Sequence, residues 1–306
     1  MTVSPDLHIH DTSRRIPELK GMFQLLKPIT WFPPMWAYLC GIVSVGVWPG
    51  DRWGLVVLGV VLAGPVVCGM SQVANDWCDR HVDAINEPQR PIPSGRVPAG
   101  WALAFALVLS VFAIWLGGFL GPWGQGATVA AVVSAWVYSL PPIRLKRSGW
   151  WGPGLVGLSY ETLPWFTGAA VLSAGAPSFF VVTVAVLYGL GAHGIMTLND
   201  FKAIEGDRQM GVRSLPAMYG PEAAAKIACT VMAKPQLLII TLLVIWGRPV
   251  FAAVIGLSLL AQFAAMRVML RDPEGKAPWY NATGVSLYVS GMMVAAFAVR
   301  TLETAP

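Results

Sequence analysis

LVVLGVVLAGPVVCGMSQVANDWCDRHVD, residues 55–83, passes directly from a twenty-residue apolar run into a polar segment that carries three aspartates. Roughly 20 apolar residues are what an α-helix needs to cross the hydrocarbon core of a bilayer. The run therefore predicts a membrane-spanning helix, and the polar segment predicts its continuation beyond the lipid. On a continuing helix Asp76, Asp79 and Asp83 follow at i, i+3 and i+7, which stacks three carboxylates on one stripe.

The rest of the chain repeats the apolar pattern. Nine such runs lie at about 29–48, 55–74, 101–120, 122–141, 154–173, 178–198, 223–246, 249–270 and 280–300, separated by short polar or Gly/Pro-rich joints. Of the 306 residues, 55% are hydrophobic and only 12% charged, and the mean hydropathy is +0.59. A globular chain usually carries about 25% charged residues, so this composition excludes a water-soluble enzyme, a disordered regulator and an extended nucleic-acid reader. The expected fold is all-α: a polytopic membrane protein of nine transmembrane helices, with a cytoplasmic tail over 1–28, a membrane domain over 29–300 and a C-terminal tail over 301–306. Cys40, Cys68, Cys78 and Cys229 have no metal-ligand spacing and read as unpaired packing thiols.

Net charge is +5, and its distribution sets the orientation. The tail holds Arg14, Arg15, Lys20 and Lys27, the joints after the second, fourth and sixth runs hold three cations each, and the end of the eighth run with its joint holds three more, Arg267, Arg271 and Lys276. Sixteen lysines and arginines on that side face three, Arg52, Arg248 and Arg300, on the other, while Lys226 and Lys234 fall within the seventh run. By the positive-inside rule the N-terminus is cytoplasmic and, with nine crossings, the C-terminus lies outside.

Half of the sixteen acidic residues fall in two joints on the cytoplasmic side. The second joint, NDFKAIEGD at residues 199–207, begins with the same Asn-Asp pair as NDWCDRHVD at 75–83, at the same end of a span. Crowded carboxylates repel one another unless a cation neutralises them. Hard oxygen ligands without a Cys or His cluster select Mg²⁺, which commonly uses one or two carboxylates plus substrate phosphate oxygens. Two facing stripes thus suit metal ions that bridge a diphosphate. Candidate metal ligands are Asn75, Asp76, Asp79, Asp83, Asn199, Asp200 and Asp207, with Glu205 as a weaker one. Candidate diphosphate ligands are Arg80, Arg90, Lys146 and Arg208, because Arg offers a planar fork and Lys a point charge to phosphate oxygens.

NDWCDRHVD, a second acidic motif after the sixth run, and nine spans together resemble the UbiA superfamily of intramembrane prenyltransferases. Within it, ITWFPPMWAYLCG (29–41), DRHVDAINEP (79–88) running into RPIPSGR (90–96), YSLPPIRLKR (138–147) and NDFKAIEGDR (199–208) look like the chlorophyll and bacteriochlorophyll synthase branch. The resemblance implies transfer of a geranylgeranyl or phytyl group from its diphosphate to the propionate of chlorophyllide or bacteriochlorophyllide, with Mg²⁺ on the acidic motifs. It places Asp79, Asp83, Asp200 and Asp207 in the catalytic set. The second motif departs from the superfamily's D-x-x-x-D, since Ala203 stands where its first Asp would be. The implied setting is a bacterial inner or intracytoplasmic photosynthetic membrane, with membrane lipid and possible pigment-assembly proteins as partners.

A propionate acceptor is already ionised at neutral pH and needs no general base, which fits the shortage of catalytic-looking histidines. His8 and His10 are in the tail and His81 shares the first motif's helix; His193, less than two turns before Asn199, is a candidate substrate contact. Glu161 and Lys234 lie inside spans and need partners in hydrocarbon, whether the substrate cavity or each other. Tyr138 and Trp77 are the aromatics adjacent to the charged motifs, and the Gly/Ala/Ser-rich stretches 168–175 and 189–194 predict close helix packing. Competing classes are a prenyltransferase acting on a quinone precursor or haem and, more distantly, a secondary transporter.

Overall fold

The computed structural model describes residues 16–173 and 175–304. Arg14, Arg15, His8 and His10 lie outside the described residues.

Each of the nine apolar runs falls on helix. A short helix α1 (Leu19–Leu25) precedes α2 (Phe32–Ser44), α3 (Gly50–Asn86), α4 (Ala99–Gly118) and α5 (Gly121–Ser139). Helix α6 covers 151–173, α7 is Phe179–Gln209, α8 is the short Leu215–Tyr219, and α9 (Pro221–Ile245), α10 (Pro249–Met269) and α11 (Pro273–Glu303) close the chain. Prolines stand in the first turn of α9, α10 and α11, where the missing N–H costs nothing. Helix α11 runs on to Glu303, so residues 301–303, expected in a tail, belong to it.

Six of these helices, α3, α4, α7, α9, α10 and α11, are long and apolar enough to cross a membrane. The other three runs fall short for visible reasons. Helix α2 has 13 residues, about 20 Å at 1.5 Å each, against roughly 30 Å of hydrocarbon. Helix α5 is diluted by Gly and Gln, and α6 by Gly, Pro, Ser, Thr and the ionisable Glu161, which sits in a wider π-helical turn at Leu158–Thr162. The outward faces are apolar; on α4, for example, Val108, Val111 and Trp115 are exposed. An integral membrane protein presents such a surface to lipid.

Helices neighbouring in sequence also pack side by side from α2 round to α11, and α11 returns to α2. Two cores result. One gathers side chains of α2, α6, α7, α9, α10 and α11, including Trp165, Tyr188 and Tyr288; the other joins α1 to α5 around Met70, Val73 and Ala106. Helix α6 lies against both α2 and α7 at backbone distance. A Cβ on Gly41 would sit 2.0 Å from the Trp165 carbonyl oxygen, and one on Gly157 would sit 2.2 Å from that of Gly189. Small residues at these crossings are what lets the bundle close.

Candidate active site

Helix α3 continues without a break to Asn86, so Asp76, Asp79 and Asp83 do form one stripe. Each carboxylate meets cations from elsewhere in the chain. Lys27 Nζ lies 2.6 Å from Asp76 Oδ1, Arg90 Nη1 reaches Asp76 Oδ1 at 3.4 Å and Asp83 Oδ2 at 2.9 Å, and Arg144 Nη2 and Lys146 Nζ approach Asp79 at 2.6 and 2.5 Å. Arg90 is itself clamped by both oxygens of Glu87. Asn75 joins the cluster with its amide oxygen accepting from Lys146 Nζ (3.1 Å) and Ser139 Oγ (3.2 Å) and its nitrogen donating to Asp79 Oδ2 (3.2 Å). Burial pushes the Lys146 ammonium below the usual lysine range, with Asp79 pulling the other way. Burial works on Arg90 in the same sense, but Glu87, Asp76 and Asp83 outweigh it and hold the guanidinium above its usual range.

Lys27 and Arg144 share a backbone feature. Among the described residues they are the non-glycine positions with positive φ, 43° and 42°. Left-handed backbone without glycine costs of order 1–3 kcal/mol and persists where surrounding contacts hold it, often at functional sites. Here the turns aim a cation at Asp76 and another at Asp79.

The second motif sits at the same end of the bundle. After Asn199, α7 tightens into a 3₁₀ turn at Asp200–Ala203 and resumes as α-helix over Ile204–Gln209. Its following loop is strapped to the loop that carries Arg144 and Lys146: Ser148 and Arg213 form a parallel bridge, Gly149 N donates to Arg213 O (2.7 Å), and Arg147 Nη2 donates to the carbonyls of Met210 and Gly211. From the first motif's helix, Asn86 Nδ2 reaches Met210 Sδ at 3.6 Å. Tyr138 lies between, within electrostatic reach of both Asp79 and Asp200.

Electrostatically the second motif differs from the first. Asp207 accepts from Ser214 Oγ (2.5 Å), and neither Asp207 nor Asp200 forms an ion pair among the described residues. Asn199 Oδ1 accepts from Asn281 Nδ2 (3.0 Å), and Glu205 bonds Gln209. No three His, Cys, Asp or Glu side chains converge on one point among the described residues. The available donors are hard oxygens, among them Asp76 Oδ2 and Asp83 Oδ1, which the cations leave uncovered. A set of this kind fits Mg²⁺ only with substrate phosphate oxygens completing its shell.

A cavity of about 260 Å³ opens beside Asn75 and Tyr138 and runs along α3 to Gly59 and Tyr38, flanked by α5 and α6. From residue 75 to residue 59 is sixteen residues of helix, about 24 Å. Its wall is largely apolar and, among the described residues, contains no carboxylate, imidazole or amine. Two π-helical stretches face each other across it, Leu62–Cys68 on α3, around Pro65, and Leu158–Thr162 on α6. They are tied by Cys68 Sγ and Gln72 Nε2, both donating to Tyr160 Oη (3.3 and 3.0 Å). π-Helical turns widen a helix and concentrate at functional sites.

Several expected residues lie elsewhere. Arg80 stacks over the Trp77 ring at 4.6 Å and donates to the Trp77 carbonyl, and Arg208 donates to the Ala217 carbonyl at 3.5 Å. His81 is exposed. His193 is buried against Trp150, ring centroids 5.5 Å apart, outside the cavity wall. Glu161 is buried within electrostatic reach of Cys40 and Tyr288, while Lys234 lies in an external groove between α9 and α10. The expected pairing of Glu161 with Lys234 is therefore corrected: the two occupy different faces of the bundle. Lys27 is a site cation that the sequence reading passed over, and Arg144 one of the basic residues after the fourth run that it did not prefer; their signal was position, one beside Pro28 and the other after Pro141 and Pro142, where the chain must turn.

The model of the UbiA prenyltransferase family matches residues 30–291. The chain belongs to the UbiA prenyltransferase family. The prenyltransferase is 69% identical over 306 residues to the bacteriochlorophyll synthase 33 kDa chain of Cereibacter sphaeroides, covering all of both chains, and 64% identical over 290 residues to that of Rhodobacter capsulatus, covering 94% of this chain and 95% of the other. In fold it is similar to a UbiA homolog from Archaeoglobus fulgidus bound to DMAPP and Mg²⁺, with a TM-score of 0.74 at 18% identity, covering 92% of this chain and 99% of that one. The family resemblance expected from the motifs is borne out.

Proposed function

We infer that this prenyltransferase is a bacteriochlorophyll synthase, esterifying the propionate of bacteriochlorophyllide with a geranylgeranyl or phytyl group from its diphosphate. The observation that carries this reading is the apolar cavity that reaches Asn75, whose amide bonds Asp79 and Lys146 of the charged cluster. A long hydrocarbon chain fits the wall and a diphosphate fits the cluster. The relationship to the two bacteriochlorophyll synthase chains supports the choice of acceptor.

In this reading Asp76, Asp79 and Asp83 with Asn75, and Asp200 with Asp207, are the residues that would hold Mg²⁺. Bound there, Mg²⁺ supplies positive charge that makes the diphosphate a better leaving group. Lys146, Arg144, Arg90 and Lys27 turn donors from the carboxylates to phosphate oxygens as the substrate enters, and Tyr138 borders the allylic carbon. The acceptor carboxylate attacks that carbon directly. No base is required of the wall, and none stands there among the described residues.

The same reading puts nine crossings in a photosynthetic membrane, with the N-terminus and both motifs cytoplasmic; the excess of lysine and arginine in those joints supports it. Pigment-assembly proteins are proposed partners. The test is to incubate membranes containing the protein with Mg²⁺, geranylgeranyl diphosphate and either bacteriochlorophyllide or 4-hydroxybenzoate. Esterified pigment is expected; product from the phenol alone would overturn the assignment.

A further inference from the structure

Helices α9 and α10 are joined by a tight turn and run antiparallel, with their register fixed by two buried hydrogen bonds between Gln236 and Gln262 (3.0 and 3.1 Å). On their outward side, toward the motif end of the bundle, lies a groove of about 390 Å³ whose wall includes Thr230, Phe263, Met266 and Leu270. Two cations edge it, Lys234 from α9 and Arg267 from α10, both exposed. The Gln236–Gln262 register sets Arg267 level with residue 231, which puts Lys234 three residues deeper, about 4.5 Å along the axis. A four-carbon stem spans that difference, so the ammonium and the guanidinium can meet at one depth.

Neither head group forms an ion pair or hydrogen bond with a described residue, and no acidic side chain among the described residues lines the groove. A cation on the lipid-facing side of a spanning helix is costly without a counter-charge. Arg267 is two residues from the end of α10, near headgroup level, and an Arg fork beside an ammonium matches phosphate oxygens. Below them Phe263 and Met266 offer an apolar wall for an acyl chain. We propose that this groove binds an anionic phospholipid of the motif-side leaflet, with the headgroup phosphate between Lys234 and Arg267. Its charge, its depth and its opening to lipid favour that occupant over an acidic residue of a partner helix.

The experiment compares the intact protein with Lys234→Gln, Arg267→Gln and the double variant, each delipidated in detergent and titrated by native mass spectrometry. The probes are phosphatidylglycerol, phosphatidylcholine and soluble glycerol phosphate. Each single change is expected to weaken phosphatidylglycerol about fivefold and the double change about 30-fold, as expected for two interfacial cations. Lys276→Gln, which removes a charge from the same end outside the groove, should leave binding unchanged. Phosphatidylcholine and glycerol phosphate should bind the wild type more weakly than phosphatidylglycerol. Unchanged phosphatidylglycerol affinity in the double variant, with its thermal unfolding in detergent matching the wild type, would overturn the proposal. So would equal weakening by Lys276→Gln, saturation by glycerol phosphate at the same concentration, or loss of a co-purifying protein from the double variant with lipid binding intact.

Discussion

At residues 75–83 three carboxylates meet four cations, Lys27, Arg90, Arg144 and Lys146, whereas at residues 199–207 the carboxylates of Asp200 and Asp207 meet none among the described residues. Both motifs open on Asn-Asp at a helix end, so identical letters stand in unlike fields. The first is neutralised by the protein itself and bound into its fold. The second forms no ion pair among the described residues, which leaves its carboxylates open to a metal ion. Removing a carboxylate from the first should therefore cost both stability and rate; removing one from the second should cost rate alone.

The largest effect is expected for Asp79→Asn, which strands Arg144 and Lys146 in a half-buried setting. Turnover should fall about 10²- to 10³-fold, and the melting temperature should fall with it, because breaking such a pair leaves uncompensated charge. An unchanged melting temperature would erase the contrast between the motifs. Next come Asp200→Asn and Asp207→Asn. Each should raise the Mg²⁺ concentration for half-maximal rate about 10- to 100-fold, as losses around a metal site commonly do, with the melting temperature equal to wild type or higher. Chelating Mg²⁺ should reproduce the rate loss without unfolding the protein.

Smaller effects sort the cations. Arg144→Gln should slow turnover about tenfold, since a hydrogen bond to a charged group is worth about 1.5–3 kcal/mol. Arg80→Gln, which loses only its place over Trp77, should change the rate less than about threefold. Equal losses in the two variants would return Arg80 to the site. Least of all, Glu161→Gln should alter the rate less than about twofold at normal yield, because that carboxyl lies off the cavity wall.

Six of the nine expected spans and the first stripe were legible because they rest on local rules, the length of an apolar run and the i, i+3, i+7 spacing. Two of the four partner cations were not. Lys27 and Arg144 reach Asp76 and Asp79 across 49 and 65 residues of chain, by way of left-handed turns whose conformation no composition reveals. Sequence proximity favoured Arg80 and Arg208 instead, and both point at neighbouring carbonyls. Counting apolar residues also overlooked the interruption at Leu158–Thr162, since a wider turn needs no unusual letters.

That same looseness in α3, over Leu62–Cys68, decouples the angular phase of its two halves. Each residue of regular helix swings the next by about 100°, so the winding of this short stretch dials which way the acid edge looks once the chain leaves the oily half. Loss of a single valine from Val66–Val67, invisible to any measure of hydrophobicity, would let the wide turn tighten to ordinary α-helix with Asp79 still beside Lys146, whereas the same loss from the regular turn Met70–Val73 would rotate the stripe by about 100°.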